Sequence, residues 1–211
     1  MSDVLESASR ADSARDDLAF VRALVSEGAK AQSSLGEGLL AGGLCYGVQC
    51  LLQWGLLVSA WKAPDLLNLT VGVLPTLIFL GVLTGLIRRD RKASTNGIGT
   101  RALNAAFGGA GLAAMTTAAI FGFLAVREGS ITIWLFHPMM VCVVQGTVWY
   151  IAFAIRRQGW TGLVSAGWFA SAVLLALLIK SHLFVLAMGV ALLLLMALPG
   201  WVLRRNAPAR G

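Results

Sequence analysis

Six apolar stretches of about 20 residues each fill this chain from Gly38 to its end, and every second stretch closes on an arginine doublet. A helix of that length matches the hydrocarbon core of a bilayer, which is about 30 Å thick. The chain is 57% hydrophobic and 13% charged, whereas about a quarter of the residues in a soluble domain are charged. The sequence therefore predicts an all-α integral membrane protein, a bundle of six transmembrane helices. The doublets are Arg88-Arg89, Arg156-Arg157 and Arg204-Arg205.

The membrane domain is expected over residues 38–205, followed by a short tail at 206–211. The last apolar run, from Trp160 to Leu203, would reach roughly 66 Å as one helix at 1.5 Å per residue, far more than a bilayer needs. We therefore expect a turn at Lys180-Ser181-His182, with a five-helix chain as the alternative. The predicted spans are 38–60, 66–87, 103–126, 131–155, 160–179 and 183–203.

The basic residues predict the orientation of the bundle. If both termini lie on one side, fourteen of the seventeen Lys and Arg residues fall on that side. Lys62, Arg127 and Lys180 are left for the other side. Because cytoplasmic loops carry the excess of Lys and Arg, both termini are expected in the cytoplasm. The short loops favour a bacterial inner membrane, and the spread of charge over helix ends argues against a nucleic-acid partner.

The first 37 residues form an acidic arm, with seven Asp or Glu against four Lys or Arg. They contain no apolar run of the kind that a cleavable signal peptide needs, so the arm is expected to stay on the chain. Leu18, Val21, Leu24 and Val25 recur at helical spacing. Residues 16–30 are therefore predicted to form a cytoplasmic amphipathic helix.

The arm lies on the same predicted side as a strongly basic loop. Opposite charges attract appreciably within a Debye length of about 8 to 10 Å. We therefore expect residues 16–30 to dock either on this loop or on another membrane or cytoplasmic protein. The candidate docking residues are Arg88, Arg89, Arg91 and Lys92.

Polar side chains inside the apolar spans are the first place to look for function, because each needs a partner away from lipid. Gln49 and Gln53 lie four residues apart on the first span, and His137 and Gln145 lie within about 80° of each other on the fourth. If the two helices face each other, the four side chains form one polar cluster. Such a cluster serves either as hydrogen-bonding glue between helices or as a solute path.

The third span carries small residues at alternating steps of four and three, which let a neighbouring helix approach closely. This pattern predicts that the third helix lies at the centre of the bundle. The packing residues are Asn104, Gly108, Gly111 and Gly122.

We predict no catalytic residue, no cofactor and no metal site. Ser165 lies near the cytoplasmic end of the fifth predicted span and His182 in the turn beyond its other end, roughly 25 Å away, which is too far for a Ser–His pair. His137 and His182 lie at different predicted depths, which disfavours paired haem ligation. The cysteines lack any metal or redox spacing.

The sequence thus favours a non-enzymatic membrane protein that acts through interaction, as an accessory or regulatory subunit. The alternative is a small-solute transporter or channel that uses the polar cluster. Besides the lipid bilayer, the expected partner is another protein.

Overall fold

The computed structural model describes residues 33–59, 61, 63–90 and 98–206. The predicted helix at 16–30 lies outside these residues, as do Arg91 and Lys92. Within the described part, helices are the only regular structure.

The described chain forms six long helices, each long and apolar enough to cross a membrane. The alternative of five helices is therefore wrong. Helix α6 contains one π-helical turn, Leu193–Ala197. The helices are α1 Ser33–Val58, α2 Asp65–Asp90, α3 Ile98–Arg127, α4 Ile131–Arg156, α5 Gly159–Leu177 and α6 Leu183–Arg205.

The connections that follow α3, α4 and α5 are tight. Gly129, between α3 and α4, has a φ of +59°, a conformation that glycine adopts without steric cost. Arg157 has a φ of 52° and donates its N–H to the carbonyl of Phe153, so it caps α4 in the left-handed manner typical of helix ends. Between Leu177 and Leu183 the chain leaves the helix, at the place where Lys180-Ser181-His182 predicted a turn.

The three arginine doublets meet at one end of the molecule, which we call the arginine end. Arg89 bonds to the first turns of α1, and the backbone of Arg204 lies beside Gly36. Arg156 shares a small apolar pocket with Leu35. Successive helices therefore run in opposite directions, and α1 begins where α6 ends.

Helix α6 is the centre of the bundle. Of its most apolar 18 residues 44% are buried, compared with 28% in the corresponding segments of α1, α4 and α5. Cys50 of α1 approaches Gly189 of α6, and Sγ of Cys142 on α4 lies 3.8 Å from Sδ of Met188. Helices α1 and α4 thus both pack on α6 at the same level.

Glycines of α1 make the contact with α6 unusually close. A Cβ at Gly36 would lie 2.8 Å from the carbonyl oxygen of Gly200, and one at Gly47 would lie 2.8 Å from the side chain of Leu193. A Cβ at Gly43 would clash with the backbone of Ala197. Small residues along α1 therefore allow the two antiparallel backbones to touch.

Helices α2 and α3 flank this core. The most apolar 18 residues of α2 include no buried residue, and only 6% of those in α3 are buried. Helix α2 contacts α1 through the edge-on rings of Phe79 and Tyr46, whose centroids are 5.5 Å apart. Helix α3 packs on α4, where Phe107 meets Trp149 at 5.5 Å. The expectation that α3 is central is wrong within the single chain, because α6 holds that place.

Candidate functional site

Gln49 lies between α1 and α2. Its Nε2 donates to the carbonyl of Gly72 at 3.1 Å. Gly72 lies next to Val71, whose carbonyl lacks its usual α-helical donor because Pro75 has no N–H. The other amide atom, Oε1 of Gln49, is buried and has no hydrogen-bond partner. Gln49 therefore joins two helices and keeps one acceptor unused.

Gln53, one turn further along α1, lines a cavity of about 520 Å³ between the adjoining ends of α1 and α2. This end is opposite the arginine end. Gln53 makes no hydrogen bond within the described part of the chain. The cavity has a mixed polar and apolar lining, made by Gln53, Leu56, Leu57, Ser59, Trp61, Ala63, Asn68 and Val71.

His137 belongs to the contact between α3 and α4. Its Nδ1 lies 3.2 Å from Oγ1 of Thr117, which is within hydrogen-bonding distance. The ring of Trp134 lies 5.1 Å from the His137 ring, centroid to centroid. The single hydroxyl proton of Thr117 points to two carbonyls of its own helix. His137 therefore contacts a hydroxyl that already takes part in the structure of α3.

Gln145 lies two turns beyond His137 on α4, and its Oε1 is buried without a hydrogen-bond partner. Among the described residues no hydrogen bond joins Gln145 or His137 to Gln49 or Gln53. The expected cluster is thus divided by its contacts: the α1 glutamines lie against α2, and His137 bonds to α3. Gln49 and His137 each contact the neighbouring helix of their own hairpin: Gln49 contacts α2 and His137 contacts α3.

The small-residue face of α3 points away from the described residues of the neighbouring helices. A Cβ at Gly108 or Gly111 would meet no atom within 4 Å, and Asn104 is exposed. Gly122 is different, because a Cβ there would lie 3.5 Å from the ring of Trp134 on α4. The close glycine contacts among the described residues are made by α1, α4, α5 and α6, so the α3 face at Gly108 and Gly111 is open toward the described part of the chain.

One of the four candidate docking residues is tied to α1. Nη2 of Arg89 lies 2.9 Å from Oε2 of Glu37 and donates to Oγ of Ser34 at 2.9 Å. Glu37 is the last residue of the acidic arm, so one acidic group of the arm meets the first doublet. Arg88 is exposed, next to this contact.

Two polar contacts of α5 were not anticipated. Ser165 is buried and donates to the carbonyl of Gly146 on α4 at 2.8 Å, which uses its hydroxyl in helix packing. Trp168 is fully buried, and its Nε1 donates to the carbonyl of Leu195 at 3.1 Å. The only sequence signal for the second contact is Pro199, which has no N–H for the carbonyl four residues before it.

The described residues contain no group of three or more His, Cys, Asp or Glu side chains able to hold a metal ion. The three cysteines are free thiols, and Cys142 is buried. The chain matches no known protein family, no curated protein and no solved structure.

Proposed function

We propose that this chain is a multi-pass protein of a bacterial inner membrane that acts through interaction, as an accessory or regulatory subunit. The arginine end faces the cytoplasm, since the excess of Lys and Arg belongs on that side. What supports the orientation is the meeting of the three doublets at one end of the bundle.

The observation that carries the proposal is the open face of α3. In a bilayer, exposed leucine or valine needs no protein partner, because lipid tails are as apolar as these side chains. Glycines are different, since they allow a second backbone to approach and so favour association. Gly108, Gly109 and Gly111 all have open space where a Cβ would point. Gly81 and Gly85 of α2 are equally open, but the α3 face also carries the exposed amide of Asn104, which can hydrogen-bond to a second helix. The occupant we assign to this face is a transmembrane helix of a partner protein.

The experiment compares two double variants. Gly108→Leu with Gly111→Leu fills the α3 face, and Gly81→Leu with Gly85→Leu makes the same change on α2, where a Cβ also meets open space. Both variants are expected to fold. A photo-crosslinking residue at Leu112, which is 69% exposed, then reports what touches α3 in the native host.

We expect the crosslink to one partner protein to persist in the α2 variant and to disappear in the α3 variant. Equal crosslinking in both variants, or adducts with lipid alone, would contradict the proposal. A crosslink between two copies of the chain would show that the α3 face binds a second copy of this protein and not a different partner.

The acidic arm supplies a second proposed contact. Residues 16–30 dock either on the basic loop that begins at Arg88 or on the partner, and the Glu37–Arg89 pair supports an approach to this end. Neutralising Arg88, Arg91 and Lys92 together should make the arm more sensitive to limited proteolysis. Unchanged sensitivity would count against docking on the loop.

The second candidate function is transport or conduction of a small solute, which the cavity beside Gln53 favours. Exchanging Gln49 and Gln53 for leucine should abolish transport in that case and leave the α3 crosslink intact. If the chain acts through α3, the same variant keeps its function.

A further inference from the structure

We propose that the cavity between the ends of α1 and α2 binds an uncharged, hydroxyl-rich group, such as a sugar or a glycolipid headgroup. The cavity of about 520 Å³ falls within the range of about 300 to 1,000 Å³ typical of small-molecule sites. Its described lining comes from α1, α2 and the segment between them, so binding here and association through α3 can fail separately.

The lining selects a ligand that both donates and accepts hydrogen bonds. The Gln53 amide makes no hydrogen bond within the described chain, so it offers one acceptor and two donor hydrogens. Asn68 uses its Nδ2 in a weak contact of 3.4 Å with the carbonyl of Ala63 and keeps its Oδ1 available. Hydroxyl groups satisfy such amides in both directions.

Ser59 adds an acceptor at the rim. Its hydroxyl points to backbone carbonyls of Leu56 and Trp61, at 3.1 and 3.3 Å, so its single proton is used and its lone pairs remain. The described lining contains no charged side chain. Among these described residues, a ligand is therefore held by hydrogen bonds rather than by an ion pair.

The apolar side of the cavity fits the carbon face of such a ligand. Leu56, Leu57 and Val71 contribute aliphatic surface, and the Trp61 side chain is 57% exposed at the rim. A sugar presents apolar C–H surface as well as hydroxyls, and an indole ring is a large apolar surface with a single polar atom. The lining therefore suits an amphipathic neutral group better than a purely apolar one.

A second unpartnered acceptor lies one turn before Gln53 on α1, next to the residues that line the cavity. The unpartnered Oε1 of Gln49 is buried four residues before Gln53, about 6 Å along the helix axis. A buried acceptor without a partner costs free energy.

The test uses the full chain in phosphatidylcholine nanodiscs, where both faces are open to solution. The signal is the difference in tryptophan emission between the native chain and Trp61→Phe. The probes are free maltose, glucosyl-diacylglycerol added to the disc, and phosphatidylglycerol added to the disc. We expect a saturable change with maltose or with the glucosyl lipid: the first identifies a dissolved sugar as the source, and the second a lipid headgroup.

The variant Gln53→Leu should weaken binding of the responding probe about tenfold, since it removes hydrogen bonds worth about 1.4 kcal/mol. Its matched control is Gln158→Leu, a glutamine at the arginine end that should leave binding unchanged. The unfolding midpoint of each variant, measured without probe, shows that the fold persists. No saturable change with either sugar probe, a change that survives Gln53→Leu, or a response to phosphatidylglycerol alone would overturn the assignment.

Discussion

At the scale of single residues, the α1–α6 contact depends on glycines that have no room for a side chain. Gly43→Ala places a methyl group against the backbone of Ala197, so α6 must move. We expect a loss of about 1 to 3 kcal/mol in the free energy of unfolding, as for overpacked cores. Gly81→Ala is the control, because its Cβ meets open space. Equal stability of the two variants in detergent unfolding would contradict the packing described.

Trp168 makes a second contact whose value can be measured. Pro199 deprives the Leu195 carbonyl of its usual α-helical donor, and the indole of Trp168 supplies a donor at 3.1 Å. Trp168→Phe leaves that half-buried carbonyl without its donor, at an expected cost of about 1 kcal/mol, in addition to any change in packing.

The contribution of the hydrogen bond is separated by a double-mutant cycle with Pro199→Ala, which returns an N–H to α6. We expect Trp168→Phe to cost less in the Pro199→Ala background. Identical costs in both backgrounds would show that the indole serves packing alone.

At the scale of elements, α2 is held to the bundle by few contacts, and Gln49 provides one of them. Gln49→Leu removes the hydrogen bond to Gly72, and polar contacts between membrane helices are worth about 0.6 kcal/mol on average and up to about 1.7. We expect faster amide hydrogen exchange along α2, with α4 and α5 unchanged. Gln53→Leu, which removes no described hydrogen bond, should leave the exchange of α2 as it is.

Helix α3 shows why the sequence predicts where the helices lie better than it predicts which helices pack together. The spacing of Asn104, Gly108 and Gly111 correctly places these residues on one face, and that face is open toward the described residues of the chain. In a soluble helix the polar side would have marked the exterior. In a membrane helix both exterior and interior are apolar, so spacing alone does not tell which side meets the bundle.

The divided polar cluster has the same origin. Periodicity placed Gln49 with Gln53 and His137 with Gln145, but it carried no information on which helices meet. The structure gives Gln49 a carbonyl of α2 and His137 a hydroxyl of α3, each on the helix adjacent in sequence. Short connections make such neighbours pack together. The packing of helices adjacent in sequence therefore predicts both contacts better than the spacing of the polar residues does.

At the scale of the whole molecule, six helices, their alternation and the turn before α6 follow from length and charge alone. The bilayer imposes a fixed helix length, and a lysine near the centre of a span would cost about 2.5 to 3.5 kcal/mol. These constraints are strong enough to place the chain reversals. Which helices pack against each other depends on the shapes of their side chains and on single hydrogen bonds. The hydrophobic pattern of the sequence carries no information on either.

The most direct measurement of the central claim, six crossings with the arginine end in the cytoplasm, is labelling of single cysteines by a membrane-impermeant maleimide. The variants are Glu128→Cys and His182→Cys at one end, and Gln158→Cys and Asn206→Cys at the arginine end, all at exposed positions. The unsubstituted chain, whose own thiols lie within helices, supplies the background. We predict labelling of the first pair in intact cells and of the second pair only after permeabilisation. Labelling of Gln158→Cys and Asn206→Cys in intact cells would reverse the orientation, and labelling of His182→Cys and Asn206→Cys from the same side would contradict the sixth crossing.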